Sequence, residues 1–259
     1  AIFEDIADAL CRHKMVYFRD QELTFEDQEN LTNRFGEFGV DAYTAGIAGH
    51  PNMQRVLKEA DQRSAIIFGG SWHTDSPFLE RPPAISLLYG IDIPPYGGDT
   101  LWANSVRAYM TLSDTMKKML APLKVHMSGR RILSALKSTA AVGKDVTIAS
   151  MDIDTKEREL ANGAYHPLIR THPITGDKSL YIDESYTVGI QGMTDYEALP
   201  LVNFLCAHIT QPIFTCRLRW QKNTFAMWDN RSCLHHAFND HDGFRREMLR
   251  TIVAGEIPY

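Results

Sequence analysis

The stretch MWDNRSCLHHAFNDHDGFRREMLRTIVAG, residues 227–255, governs how the rest of the chain is read. It continues the apolar run TFAMW, crosses turn-forming residues, presents two adjacent histidines, and resumes as a basic strand after NDHDG. Side chains alternate across a strand, so Arg246, Met248 and Arg250 share one face while Glu247 and Leu249 share the other. Two arginines turned toward an apolar interior need anionic partners, because an unpaired buried charge is costly. The planar guanidinium matches a carboxylate through two parallel hydrogen bonds. The competing interpretation is a solvated basic face.

Outward from this segment the pattern is β-rich in the middle and at the end. AISLLYGIDI (84–93) is an apolar strand, PPYGGDT a turn cluster, and HPLIRTHPITGDKSLYI (166–182) a strand–turn–strand. TCRLRW, TFAMW and MLRTIVAG supply three further strands. Toward the amino terminus, Ile2, Phe3, Ile6 and Leu10 recur at helical spacing and MVYF (15–18) is a short strand. Thr24 with Asp27 predicts a capped helix ended by Gly36. Ser113 is expected to cap within a helical stretch over 105–123, and Thr194 with Glu197 to cap a helix reaching about His208 despite Pro200. Strand pairs with helices outside them predict an α+β fold, a β-sandwich or barrel with helices packed on it. The aromatic-poor stretch 129–164 is expected to be a surface excursion or lid. No repeat or linker divides the chain, so one domain over 1–259 is expected.

Composition excludes several classes. Of 259 residues, 44% are hydrophobic and 23% charged, as in a folded globular chain. A net charge of −5 opposes nucleic-acid or anionic-membrane binding, which needs a basic field. No apolar run approaches a membrane span. Cys11, Cys206, Cys216 and Cys233 are scattered without a Cys-x-x-Cys pair, which predicts free thiols in a reducing cytoplasm. The chain starts without Met and as if already within a helix, so residues upstream are expected.

No P-loop, G-x-G-x-x-G or H-E-x-x-H motif occurs, and GGSWH fails the nucleophile-elbow pattern. The histidines remain. SWHTDSPF (71–78) sets His73 two positions before Asp75, and alternate residues of an extended segment point to one side. Two histidines and one carboxylate on a β scaffold form the facial triad of non-haem iron oxygenases, which leaves coordination positions open. His-x-Asp alone is a weak signal, and either His235 or His236 offers the third ligand. His13, His50, His126 and His208 fit surfaces; His166 and His172 fit strand or turn edges.

Taken in order, VYFRDQELTFEDQENLTNRFGEFG, WHTDSPFLERPPAISLL, GGDTLWAN, HPLIRTHPITGDKSLYI and WDNRSCLHHAFNDHDGFRREMLRTIVAG resemble the taurine dioxygenase family of Fe(II)/2-oxoglutarate-dependent oxygenases. The resemblance spans nearly the whole chain and implies a double-stranded β-helix (jelly-roll) core with an inserted lid-like segment. It implies that His73, Asp75 and His235 hold Fe(II), the family register selecting His235 over His236. It implies further that Thr100 and Arg246 bind 2-oxoglutarate, and that Arg250 grips the acid group of a small anionic substrate. Ser76 and Tyr186 are candidates to shape the substrate pocket. The implied reaction couples O2 and oxidative decarboxylation of 2-oxoglutarate to substrate hydroxylation, releasing succinate and CO2. Relatives that halogenate lack the carboxylate, so Asp75 favours hydroxylation, and hydroxylation beside a heteroatom cleaves C–O or C–S bonds.

The match departs from taurine enzymes where those carry His-x-x-Tyr after FGE, since Asp41 and Thr44 stand there. Gly69 replaces their substrate-contacting Asn. HPLIRTHP, GMTDYEALPLVNFL and TCRLRW are closer to the aryloxyalkanoate branch. Asp41 is then either a solvated loop residue or a substrate contact that would admit a zwitterionic, amino-acid-like compound. A scaffold that binds metal or small acid without turnover is the alternative of another class. A dimer or tetramer is common in the family.

Overall fold

Alternation along the central strands sorts the apolar side chains into layers, and the layers create the site. The computed structural model describes residues 2–41, 43–44, 46–62, 69–134 and 157–259; most of the expected 129–164 excursion lies outside them. The chain runs through α1 (Ile2–His13), β1 (Met15–Phe18), α2 (Phe25–Phe35) and β2 (Gln54–Lys58). After the 71–80 loop come β3 (Ile85–Asp92), β4 (Thr100–Asn104), α3 (Ser105–Thr111), α4 (Asp114–Leu120) and β5 (Lys124–Met127). Next are α5 (Glu157–Asn162), β6 (Ala164–Pro167), β7 (Ile169–Thr171), β8 (Lys178–Leu180) and β9 (Thr187–Ile190). The last third holds α6 (Asp195–Ile209), β10 (Thr215–Leu218), β11 (Phe225–Asp229), β12 (Cys233–Ala237) and β13 (Arg246–Val253).

A five-stranded antiparallel sheet has the order β1-β11-β3-β13-β2, and a three-stranded sheet the order β10-β4-β12. Along β11, Phe225 and Met227 pack on one side, while Ala226 and Trp228 pack on the other. Leu87 and Tyr89 of β3 join the first group, Leu88 the second. The first group lies under α1 and α2, whose Ile6, Leu31 and Phe35 pack against it. The second combines Leu88, Trp228 and Met248 with Trp102, Leu218 and Cys233 of the smaller sheet, so the two sheets share this core. Burying each such large side chain contributes about 1.5–3 kcal/mol. Arg246 and Arg250 lie on the Met248 side of β13, as strand alternation requires, and Glu247 turns outward to Arg55 and Arg245.

The expected α+β class holds. Thr24 and Asp27 form the predicted capping box, and the Thr194 N–H donates to Glu197 Oε2 at 2.9 Å. The helical stretch 105–123 is two helices, because Asn104 caps α3 and the Ser113 hydroxyl accepts from the Met116 N–H to begin α4. Pro200 lies inside α6 without ending it. Ala198, Val202, Leu205, Cys206 and Ile209 bury one side of that helix, which offsets the lost backbone bond. The four cysteines are free thiols, and no helix among the described residues is long and apolar enough to cross a membrane.

Two features were not legible beforehand. The histidine pair lies in a strand of its own, β12, paired with β4 so that His235 faces Trp102 and Ala237 faces Thr100. The turn before it is held by a buried ionic cluster. Asp229 accepts from Arg231 Nε at 2.8 Å and Nη2 at 2.7 Å, and lies 2.8 Å from His172 Nε2. This fastens the β11–β12 turn to the β7–β8 hairpin and explains the buried His172.

Burial opposes ionisation of Asp229, but hydrogen bonds from Arg231 and His172 overcome it and hold the carboxyl far below its ordinary 3.8. A depressed folded-state pKa gives stability that is complete above pH ~4 and is lost as acid protonates the native carboxylate. Asp229→Asn should cost about 3–5 kcal/mol in denaturant melts at pH 7. The difference from the native chain should narrow as the pH falls below ~4.

Candidate metal centre

His73 and His235 belong to segments joined by a two-way backbone bridge. The His73 N–H donates to the His235 carbonyl at 3.0 Å, and the His235 N–H to the His73 carbonyl at 2.7 Å. The imidazole centroids are 4.0 Å apart. Asp75 Oδ1 lies 3.8 Å from His73 Nε2 and 3.7 Å from His235 Nε2. One ligand atom from each of the three lies within 4.8 Å of the others, and all three residues are buried. These separations exceed hydrogen-bond lengths. They suit donors arranged around a shared ion.

The protonation pattern agrees. His73 Nδ1 lies 2.8 Å from the Ser71 carbonyl, an acceptor that places the proton there and leaves Nε2 a bare lone pair. Burial lowers the pKa of both histidines. Burial acts to raise that of Asp75, but His235, Arg250, His73 and the Ser86 hydroxyl together bring it below the ordinary value. Near neutrality two neutral imidazoles and a carboxylate therefore converge, a donor set that fits a divalent cation. Ser86 of β3 donates to Asp75 Oδ2 and accepts from Asn230 Nδ2 at 2.9 Å; Asn230 Oδ1 accepts from Trp228 Nε1 at 2.9 Å. These outer contacts leave Oδ1 facing the histidines.

The triad opens onto a cleft with about 980 Å³ of unfilled space, counting its mouth. Thr100 and Arg246 are among its lining residues. Thr100 Oγ1 accepts from Trp220 Nε1 at 2.9 Å, so its own proton is available to a ligand. Arg246 is buried; its Nη2 reaches the Gly98 carbonyl at 3.2 Å and its Nε has no partner. Burial pulls its pKa down to about 10, with Asp99 opposing. A guanidinium with this little compensation calls for an anion.

Arg250, Ser76 and Tyr186 also line the cleft, with Tyr43 beside them. The Tyr43 hydroxyl donates to that of Tyr186 at 3.2 Å. Arg250 Nη2 bonds Asp41, while Nη1 lies 3.8 Å from Asp75 and Nε has no partner. Asp41 is not a solvated loop residue. Its side chain is 3% exposed, and Oδ1 accepts from the Tyr43 and Thr44 N–H groups and the Thr44 hydroxyl. His236 is half-buried against Trp72 and Phe238, outside the triad. Gly69 lines the cleft at φ +80°, where a Cβ would stand 3.1 Å from His73 Cε1. Sequence reasoning missed Lys58, Ser86, Trp220 and His241. No motif marks them, and His241 was one histidine among ten.

Removing a hydrogen bond behind a ligand typically costs 10–100-fold in metal affinity. Ser86→Ala should weaken Mn(II) or Fe(II) binding by about that factor in anaerobic competition titrations, whereas His236→Ala should leave it unchanged.

The model of the family "Taurine catabolism dioxygenase TauD, TfdA family" matches residues 1–252. An alpha-ketoglutarate-dependent sulfate ester dioxygenase of Pseudomonas putida is 30% identical over 262 residues, covering 100% of this chain and 82% of the relative. An alkylsulfatase of Acinetobacter baylyi is 33% identical over 254 residues, covering 97% and 76%. The crystal structure of a taurine dioxygenase from Burkholderia xenovorans superposes with a TM-score of 0.78 at 31% identity, covering 99% of this chain and 82% of that one. With the match running through both halves of the His73–Asp75–His235 cluster, the chain belongs to the TauD/TfdA family of dioxygenases.

Proposed function

We propose that this protein is an Fe(II)- and 2-oxoglutarate-dependent dioxygenase that hydroxylates a small organic acid, with sulfate esters, sulfonates and aryloxyalkanoates as the substrate classes. The observation that carries this reading is a single cleft containing both a buried His–Asp–His cluster and the under-compensated guanidinium of Arg246. His73, Asp75 and His235 would hold the iron. The Thr100 hydroxyl and Arg246 would bind the distal carboxylate of 2-oxoglutarate, and Arg250 the acid group of the substrate. Ser76, Tyr186 and Asp41 would border that substrate.

Bound iron and 2-oxoglutarate supply the oxidation: substrate, 2-oxoglutarate and O2 become hydroxylated substrate, succinate and CO2. The protein orients the reactants. The Ser86–Asn230–Trp228 relay fixes Asp75, the carbonyl of Ser71 fixes the His73 tautomer, and Val56, Leu88 and Phe238 provide apolar walls. Hydroxylation on the carbon bearing a sulfate ester gives a hemiacetal-type product, which collapses to a carbonyl compound and free sulfate. The name of the Pseudomonas relative fits that outcome.

Asp41 favours a second reading of the substrate. A buried carboxylate beside Arg250 complements a zwitterion, whose cation would face Asp41. We read the two sheets as a jelly roll within one domain, a reading that the shared core between sheets supports. Free thiols support a reducing cytoplasm. A homo-oligomer completes the reading.

Succinate released above the substrate-free background, across alkyl sulfates, sulfonates, aryloxyalkanoates and amino acids, tests the proposal. An acid should stimulate release, and response only to amino-acid compounds would favour the zwitterion. Iron and 2-oxoglutarate binding without stimulation by any acid would make the protein a binder. His235→Ala should abolish the coupled signal. Arg246→Ala should raise the 2-oxoglutarate requirement by roughly 10–100-fold, and Arg250→Ala should act mainly on the KM of the acid.

A further inference from the structure

His241 takes no part in the hydrogen bonds that hold the His–Asp–His cluster, Thr100 or Arg246, although its position is unusual. It is 3% exposed, and neither ring nitrogen has a hydrogen-bond partner. A buried imidazole normally satisfies at least one nitrogen, because desolvating a polar group without compensation is expensive. The comparison within this protein is direct. His166 Nε2 lies 2.8 Å from the Pro77 carbonyl, and His172 Nε2 lies 2.8 Å from Asp229. His241 instead lines the cleft that contains Arg246, Thr100 and the His–Asp–His cluster.

The residues around it hold it there. Lys58 Nζ donates to Asn239 Oδ1 at 2.8 Å and to Asp242 Oδ1 at 2.7 Å. The Gly98 N–H donates to Asp240 Oδ1 at 2.7 Å, and the Phe244 N–H to the His241 carbonyl at 3.2 Å. Asn239, Asp240 and Asp242 thus each fasten the loop, while the imidazole between them is left without a partner. Gly98 shows that the arginine and the imidazole crowd one place. A Cβ on it would lie 3.0 Å from Arg246 Nε and 3.4 Å from His241 Nδ1. Those are two of the unpartnered nitrogens in the cleft.

We infer that His241 is a third donor to the distal carboxylate of 2-oxoglutarate, binding it together with Arg246 and Thr100 and reinforcing the preference for a keto acid with a second acid group. This rests on the function proposed above and adds to it a residue that the motifs did not mark. Burial, Arg246 and Lys58 bring the imidazole down to about 4, with Asp240 and Asp242 opposing. Near neutral pH it therefore carries one N–H. That N–H can donate to a carboxylate oxygen while the guanidinium supplies the charge.

The test is anaerobic calorimetry on the Mn(II)-loaded protein with 2-oxoglutarate and with 2-oxobutyrate, which keeps the chelating end but lacks the distal carboxylate. His241→Phe preserves a planar ring without the N–H, and His241→Gln restores a donor. His241→Phe should weaken 2-oxoglutarate about tenfold, the worth of one hydrogen bond to a charged group, and leave 2-oxobutyrate and Mn(II) affinity unchanged. His241→Gln should recover most of the loss. Equal weakening of both keto acids, or no change for 2-oxoglutarate in a folded variant, would overturn the inference while leaving the proposed function intact. Failure of the native, metal-loaded protein to bind 2-oxoglutarate would remove the function and this inference together.

Discussion

The backbone bridge between His73 and His235 is the constraint on which the site depends. Its two hydrogen bonds, 2.7 and 3.0 Å long, join a loop before β3 to a strand 162 positions later in the chain. Residues opposed in this way across an antiparallel pair bring their side chains close together. The imidazoles therefore meet through main-chain geometry, and Asp75, two residues along, reaches the same point. Register then does the rest: β12 lies on β4, placing Ala237 opposite Thr100, while β13 delivers Arg246 and Arg250 from the other sheet.

Two kinds of buried charge separate the scaffold from the site. Around Asp229 the carboxylate oxygens are met by Arg231 and His172, and Arg231 lies also near Glu256. That cluster is closed and holds a turn. In the cleft, Arg246 and Arg250 each keep an unpartnered Nε, and His241 keeps two unpartnered nitrogens. Unmet polar groups beside the His–Asp–His cluster are costly to fold. Arg250 is the better compensated of the two arginines, since it already meets the buried carboxylate of Asp41.

Much of this was visible in linear order. The capping boxes at Thr24 and Thr194 are local events between residues three apart, and the strand alternation of Arg246, Met248 and Arg250 is a property of any extended chain. The family resemblance selected His235, and the structure places that residue, not His236, beside His73 and Asp75. What escaped lacked a local signature. Nothing in the turn chemistry of FNDHDG (238–243) distinguishes His241 from its neighbours, and Ser86 reads as one small residue in an apolar strand. Asp41 looked like a loop carboxylate because its partner, Arg250, lies 209 positions away.

By itself the sequence determined the α+β class, most helix starts, the faces of the strands and the chemistry available: imidazoles, a carboxylate and two inward arginines. These follow from periodicity, capping and side-chain type, which act over a few residues. The tertiary structure alone decided which of those groups converge, which are already neutralised and which are left waiting. Sheet order and register bring residues far apart in the chain to within a few ångströms, and burial sets the protonation and the unmet bonding of whatever arrives there.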